Sequence, residues 1–162
     1  VAELDLAKLY ARHRQGLFTA ALSITGCAAQ AEDAIHDAFA RMCRSTPAEI
    51  IDPPAYIFTA VRRAAIGQRR RAGPPASDTG AAIFAIETGS ADAHAIDVER
   101  QRSVADAIGK LPWDMREVVV LRVYAGLSFA QIAAVVNEPL PTVASRYRRS
   151  LDRLRQRLEH LV

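Results

Sequence analysis

"SFAQIAAVVNEPLPTVASRYRRSLDRLRQRL", residues 128–158, reads as a short apolar helix, a break containing two prolines, and a longer helix studded with arginine. The hydroxyl of Ser128 can accept from the N–H of Gln131, and the Gln131 side chain can reach back to the N–H of Ser128. This S-x-x-Q pattern is a capping box that starts a helix. The short helix then turns Ile132, Val135 and Val136 inward. Pro139 and Pro141 lack an N–H, and each disfavours helical backbone in the residue before it, Glu138 and Leu140. One helix cannot run through "NEPLP", but a second can open at about Pro141, where a missing N–H costs little. Two helices re-aimed across a tight turn make a helix-turn-helix.

The second helix is amphipathic. Val143, Tyr147, Leu151, Leu154 and Leu158 recur at spacings of four and three and are expected to form one buried stripe. Ser145, Arg149 and Asp152 point the other way, flanked by Arg146 and Arg148. In a helix-turn-helix the start of the second helix enters the major groove of DNA. Ser145, Arg148 and Arg149 then lie near bases or phosphates, with Arg146 and Arg153 better placed for the backbone. A charged face turned to solvent is the alternative. The capped helix, the defined turn and the arginine cluster just past it together favour DNA.

Upstream, "AIDVERQRSVADAIGKLP" and "WDMREVVVLRVYAGL" read as two further helices, stopped before Pro112 and at Gly126. Residues 93–162 therefore form one all-helical unit. Residues 1–71 form another, of three helices. Residues 5–25 place Leu6, Leu9, Tyr10, His13, Leu17, Ala21 and Leu22 at helical spacing, and residues 29–44 do the same with Ala31, Ile35, Ala38, Phe39 and Met42. After the loop "STPAEIIDPP", Pro53 and Pro54 can open a third helix that runs to about Arg71. Between the units, residues 72–92 read as a flexible linker, broken by "RAGPPASDTGAA". Its apolar stretch from Ala82 to Ile86 is more than a tether needs, so part of the linker is expected to dock. The fold class is thus all-α, two small helical domains joined by an acidic linker.

Charge follows the same division. Residues 1–71 carry 10 Lys and Arg against 7 Asp and Glu, residues 72–100 carry 1 against 5, and residues 101–162 carry 10 against 6. Two basic blocks flank an acidic connector. The bases are almost all Arg, which suits bidentate recognition of phosphate and guanine. No apolar run approaches the ~20 residues of a membrane span, so no direct membrane insertion is expected. Cys27 and Cys43 lie far apart, outside any CxxC pair, and read as reduced thiols of a cytoplasmic protein. There is no nucleophile–base set, phosphate loop or metal cluster, so neither an enzyme nor a cofactor is expected. Glu32 and His36 have a chelating spacing but no further ligands.

"LPWDMREVVVLRVYAGLSFAQIAAVVNEPLPTVASRYRRSLDRLRQRL" resembles the promoter-binding C-terminal domain of extracytoplasmic-function RNA polymerase sigma factors. The pattern is LP, REV, an aromatic with GLS, IA, then TV-x-SR and an arginine-rich tail. "AEDAIHDAFARMCR" and "DPPAYIFTAVRRAA" resemble the N-terminal domain of the same family, in the expected order. The resemblance implies an initiation factor that binds core RNA polymerase and promoter DNA and is held in check by an anti-sigma factor. It implies that Glu32, Asp33, Asp37 and Arg41 meet polymerase. It also implies that Tyr56, Phe58, Arg62, Arg63, Arg69 and Arg70 meet the minus-ten element. Thr142, Ser145, Arg146, Arg148, Arg149 and Arg153 would meet the minus-thirty-five element. Physics alone limits one of these sets: Tyr56 and Phe58, at i and i+2, cannot both face DNA, and an ordinary core role for one of them is an equal alternative. The loop from Pro47 to Pro54, with Glu49, Ile50 and Asp52, corresponds to the family's base-capturing loop. The chain departs from the family pattern at Arg63, Gly67, Pro141 and Ala144. Two other readings remain: a stand-alone helix-turn-helix regulator, and a sigma-like interaction protein that no longer opens DNA.

Overall fold

Two of the three helices of the N-terminal block start on a side-chain cap. The side chain of Asp5 accepts from the N–H of Lys8 and opens α1 (Leu6–Thr25). Gly26, at φ 68°, closes it with its N–H on the carbonyl of Leu22. Only a residue tolerant of left-handed backbone can make that stop cheaply. α2 (Ala28–Arg44) follows at once. Asp52 then caps α3 (Pro53–Ala72), accepting from the N–H of Ala55, with the two prolines in the first turn as expected. The three helices pack on one another around Leu17, Leu22, Ala31, Ile35, Ile57, Phe58 and Val61.

The structure, a computed structural model, describes residues 4–73, 80, 83 and 95–159. The second block comprises α4 (Ala95–Gly109), α5 (Trp113–Val123), α6 (Phe129–Val136) and α7 (Leu140–Glu159). No strand occurs among the described residues. Within the connector, Ile83 is fully buried, and a Cβ on Gly80 would stand 2.9 Å from Cα of Asp106 on α4. The connector is docked at these two points. Ala82 and Phe84 to Ile86 lie outside the described residues.

The capping box forms as read: Gln131 N–H donates to Ser128 Oγ at 3.1 Å and Ser128 N–H to Gln131 Oε1 at 2.9 Å. The break after α6 has a further cause beyond the prolines. Asn137 takes left-handed backbone, φ 56° and ψ 49°, and ends the helix with its N–H on Ala133 O. α7 starts at Leu140, and the carbonyl of Pro139 accepts from Val143 N–H at 3.1 Å.

The buried stripe of α7 differs from the expected one at a single position. Val143 and Leu154 are buried and Tyr147 and Leu158 are half-buried, but Leu151 is 39% exposed and Ser150 takes its place in the core. A step of three or of four from Tyr147 is equally compatible with helix periodicity. The serine is tolerated inside because its hydroxyl donates to the carbonyl of Arg146 at 2.7 Å.

The two blocks are not independent bodies. α5 packs on α1, α6 packs on α3, and a single core runs through both. Gly16, in the middle of α1, explains how closely they approach. A Cβ there would lie 2.9 Å from Cα of Ala125 and 3.3 Å from the ring of Phe58. A mid-helix glycine costs ~1 kcal/mol against alanine, and here the missing methyl lets the blocks meet.

Candidate nucleic-acid interface

The arginines of α7 divide by their surroundings. Arg148, Arg149 and Arg153 are exposed, and Thr142 and Ser145 are half-buried at the start of the same helix. Arg146 is only 15% exposed. Its Nε lies 3.5 Å from Asp114 of α5, and its Nη2 lies 3.7 Å from Glu138 in the turn. Arg146 therefore ties the second helix of the motif to its scaffold, and its guanidinium is engaged inside the chain. Behind the exposed face, Tyr147 meets the ring of Phe129 edge-on at 5.3 Å, and Arg122 covers Phe129 at 4.6 Å. These contacts fix the angle at which α7 is offered.

On α3 the structure separates the two aromatics. Phe58 is 1% exposed, in the core against the edge of His13 at 5.8 Å. It has no face left on which a base could stack, so the expectation that it meets DNA is corrected. Tyr56 is half-buried at the surface. It lines a groove of about 520 Å³ with Ala38, Arg41, Met42, Arg63 and Ala134. Arg41, expected at polymerase, and Tyr56 and Arg63, expected at DNA, thus share one groove that α6 borders. On α2, Glu32, Asp33 and Arg41 are exposed and Asp37 is half-buried.

Two other arginines of α3, Arg62 and Arg69, are held within the fold. Arg62 grips Glu117 of α5 through Nε and through Nη2, the latter 3.3 Å from Oε2, and its guanidinium lies 5.6 Å from the ring centre of Trp113. Arg69 donates to the carbonyl of Ile24 at 3.3 Å. Arg69 and Arg70 line a cavity of about 480 Å³ with Ile24, Ile66, Gly73 and Trp113. Burial and then the Arg69 charge push the Arg116 guanidinium below its ordinary range, with Glu117 opposing. Positive charge is thus crowded where the blocks meet.

Residues 9–74 match the sigma-70 region 2 family, and residues 101–154 match sigma-70 region 4. The ECF RNA polymerase sigma factor SigL of Mycobacterium tuberculosis is 31% identical over 167 residues, spanning 94% of this chain and 88% of that protein. The chain belongs to the ECF sigma factors. The sigma factor RpoE of Cereibacter sphaeroides is 31% identical over 140 residues, covering 81% of this chain and 74% of its own. The fold is shared with Bartonella quintana RpoE, solved in complex with the anti-sigma factor NepR. That match has a TM-score of 0.70 at 20% identity, over 96% of this chain and 97% of that one.

Three residues of this ECF sigma factor that matter to the arrangement carry no role in the sequence alone, and Gln131 carries only part of its own. Glu117 shows only as the middle residue of the REV pattern, a carboxylate ahead of an apolar run, and Gly16 only as a glycine inside a helix. Gln131 closes the capping box with Ser128, and its Nε2 also donates to Asp52 Oδ1 at 3.2 Å. Asn137 carries the left-handed turn. No group of three or more His, Cys, Asp or Glu side chains among the described residues could hold a metal ion. No helix among them is long and apolar enough to cross a membrane.

Proposed function

We propose that this sigma factor directs core RNA polymerase to its promoters through two modules, residues 1–71 and 93–162, joined by residues 72–92. In this reading α2 presents Glu32, Asp33, Asp37 and Arg41 to polymerase. The i, i+4 pair Asp33 and Asp37 suits a basic partner surface. Tyr56, Arg62, Arg63, Arg69 and Arg70 of α3 serve the minus-ten element, the tyrosine by stacking and the arginines by phosphate contact. α7 reads the minus-thirty-five element with Ser145, Arg148 and Arg149, supported by Thr142 and Arg153. Arg146 contributes by holding α7 in place. The family is one of initiation factors rather than enzymes.

The observation that carries this reading is the exposed arginine face of α7, set just past a capped helix and a left-handed turn. An anti-sigma factor acting in the cytoplasm is proposed as the regulator, because an RpoE of the same fold is found with one. The test is capture of core polymerase by the tagged chain. Asp33→Arg with Asp37→Arg should lose the polymerase while the α7 face still binds duplex DNA. Retention of polymerase by that variant would remove α2 from the contact.

A further inference from the structure

The seam between the blocks places a charged pair where apolar contact would be expected. Glu117 is 6% exposed, and around it stand Ala20, Ala21, Phe58, Val61, Leu121 and Val135. A carboxylate in such surroundings is costly unless a cation and hydrogen bonds compensate it. Arg62 supplies both, gripping the two carboxylate oxygens from across the seam, and is itself only 20% exposed. Trp113, also on α5, holds the same guanidinium against its ring.

We propose that the Arg62–Glu117 pair is an autoinhibitory latch, holding the free chain shut and withholding Arg62 from promoter DNA until the blocks part. The proposal rests on the reading of α3 as a DNA-facing helix. A guanidinium binds carboxylate or phosphate through the same planar fork. With Nε and Nη2 both on Glu117, that edge cannot also take a phosphate. The DNA-facing side is blocked at a second point. Asp52, at the end of the loop before α3, caps Ala55 and also accepts from Gln131 of the helix-turn-helix. The close approach of Gly16 to Ala125 completes the seam.

The chemistry also makes the latch reversible. A buried ion pair adds little net stability, because parting the blocks returns both charges to water; it selects the one arrangement in which they meet. The open form is then reachable by any partner that binds it better, as polymerase or DNA would. Until such a partner acts, affinity for DNA is reduced by the fraction of chains that are open.

The test uses the full chain without polymerase. Small-angle scattering reads the shape, and a labelled single-stranded oligonucleotide of mixed sequence reads the DNA grip. The wild-type chain should show a radius of gyration near that of a compact chain of this length, about 15 Å. Glu117→Gln should raise it by several ångströms and tighten oligonucleotide binding roughly tenfold. Gly16→Leu should open the seam in the same way with both charges intact. The double variant Arg62→Met with Glu117→Leu fills the seam with apolar atoms, and should stay compact while binding the oligonucleotide more weakly than wild type. A Glu117→Gln chain that is folded by circular dichroism yet keeps the wild-type radius would overturn the latch. Opening without any gain in oligonucleotide binding would instead sink the assignment of α3 to DNA, leaving the closure itself intact.

Discussion

α3 and α7 look alike as sequences: both are amphipathic, both are 20 residues long, and both carry a run of arginines. Their surroundings make them different. On α7, Arg148, Arg149 and Arg153 are exposed, and a single arginine, Arg146, is drawn inside by Asp114 and Glu138. On α3, Arg62 is turned onto Glu117 of the second block and Arg69 onto the carbonyl of Ile24 in α1, while Arg63, Arg70 and Arg71 stay exposed. An arginine run signals affinity for anions, but the carboxylates and carbonyls that the fold brings near decide which arginines remain available. One helix is presented for binding, and the other is partly spent on holding the molecule together.

Substitutions that treat the two helices separately would sharpen or break this contrast. The largest effect is expected inside α3. Phe58→Ala should cost about 3–5 kcal/mol in chemical denaturation, as a core aromatic does, whereas Tyr56→Ala should cost far less. Similar losses would return Tyr56 to the core. On α7, Leu154→Ala should cost about 2–5 kcal/mol. Leu151→Ala should cost about 1 kcal/mol or less, since that side chain faces outward; the reverse order would restore the stripe expected from spacing alone.

Binding effects come next. Arg149→Ala should weaken duplex promoter binding by about 1–3 kcal/mol and relax one base preference. Arg153→Ala should weaken binding evenly across sequences and lower the salt slope by about 1. Titrations across a set of variant duplexes would separate the two. Ser128→Ala should cost about 1 kcal/mol by removing the cap of α6.

The smallest effect concerns pH. Burial, then the Arg12 charge, hold the His13 pKa below its ordinary value. The unfolded chain therefore takes up a proton first as pH falls. The contribution is complete above about pH 6.5 and is lost as pH drops toward the lowered folded value. His13→Gln should flatten that part of the stability profile; an unchanged acid-side slope would assign it to other groups.

Local chemistry was legible in the sequence and distant partnership was not. The capping box of Ser128 and Gln131, the proline start of α3 and the inward face of α6 depend on neighbours within a few residues. The exchange of Leu151 for Ser150 was hidden because helix spacing permits either, and hydropathy chose the leucine. The two aromatics of α3 were known to exclude one another, but the core that claimed Phe58 is built from other helices. Glu117 could not be read as a partner of Arg62 because 55 residues separate them. Helix spacing does not single out Gly16, and its reason lies in the close packing against Ala125, far along the chain.

In the proposed function both modules serve one initiation event. In vitro transcription with core polymerase on a pool of genomic promoter fragments, combined with permanganate footprinting, addresses it directly. Transcripts that require the chain are expected, with reactive thymines near the minus-ten position, and both should be lost with Asp33→Arg and Asp37→Arg together. Polymerase that gains neither transcripts nor melted bases when the chain is added would contradict it.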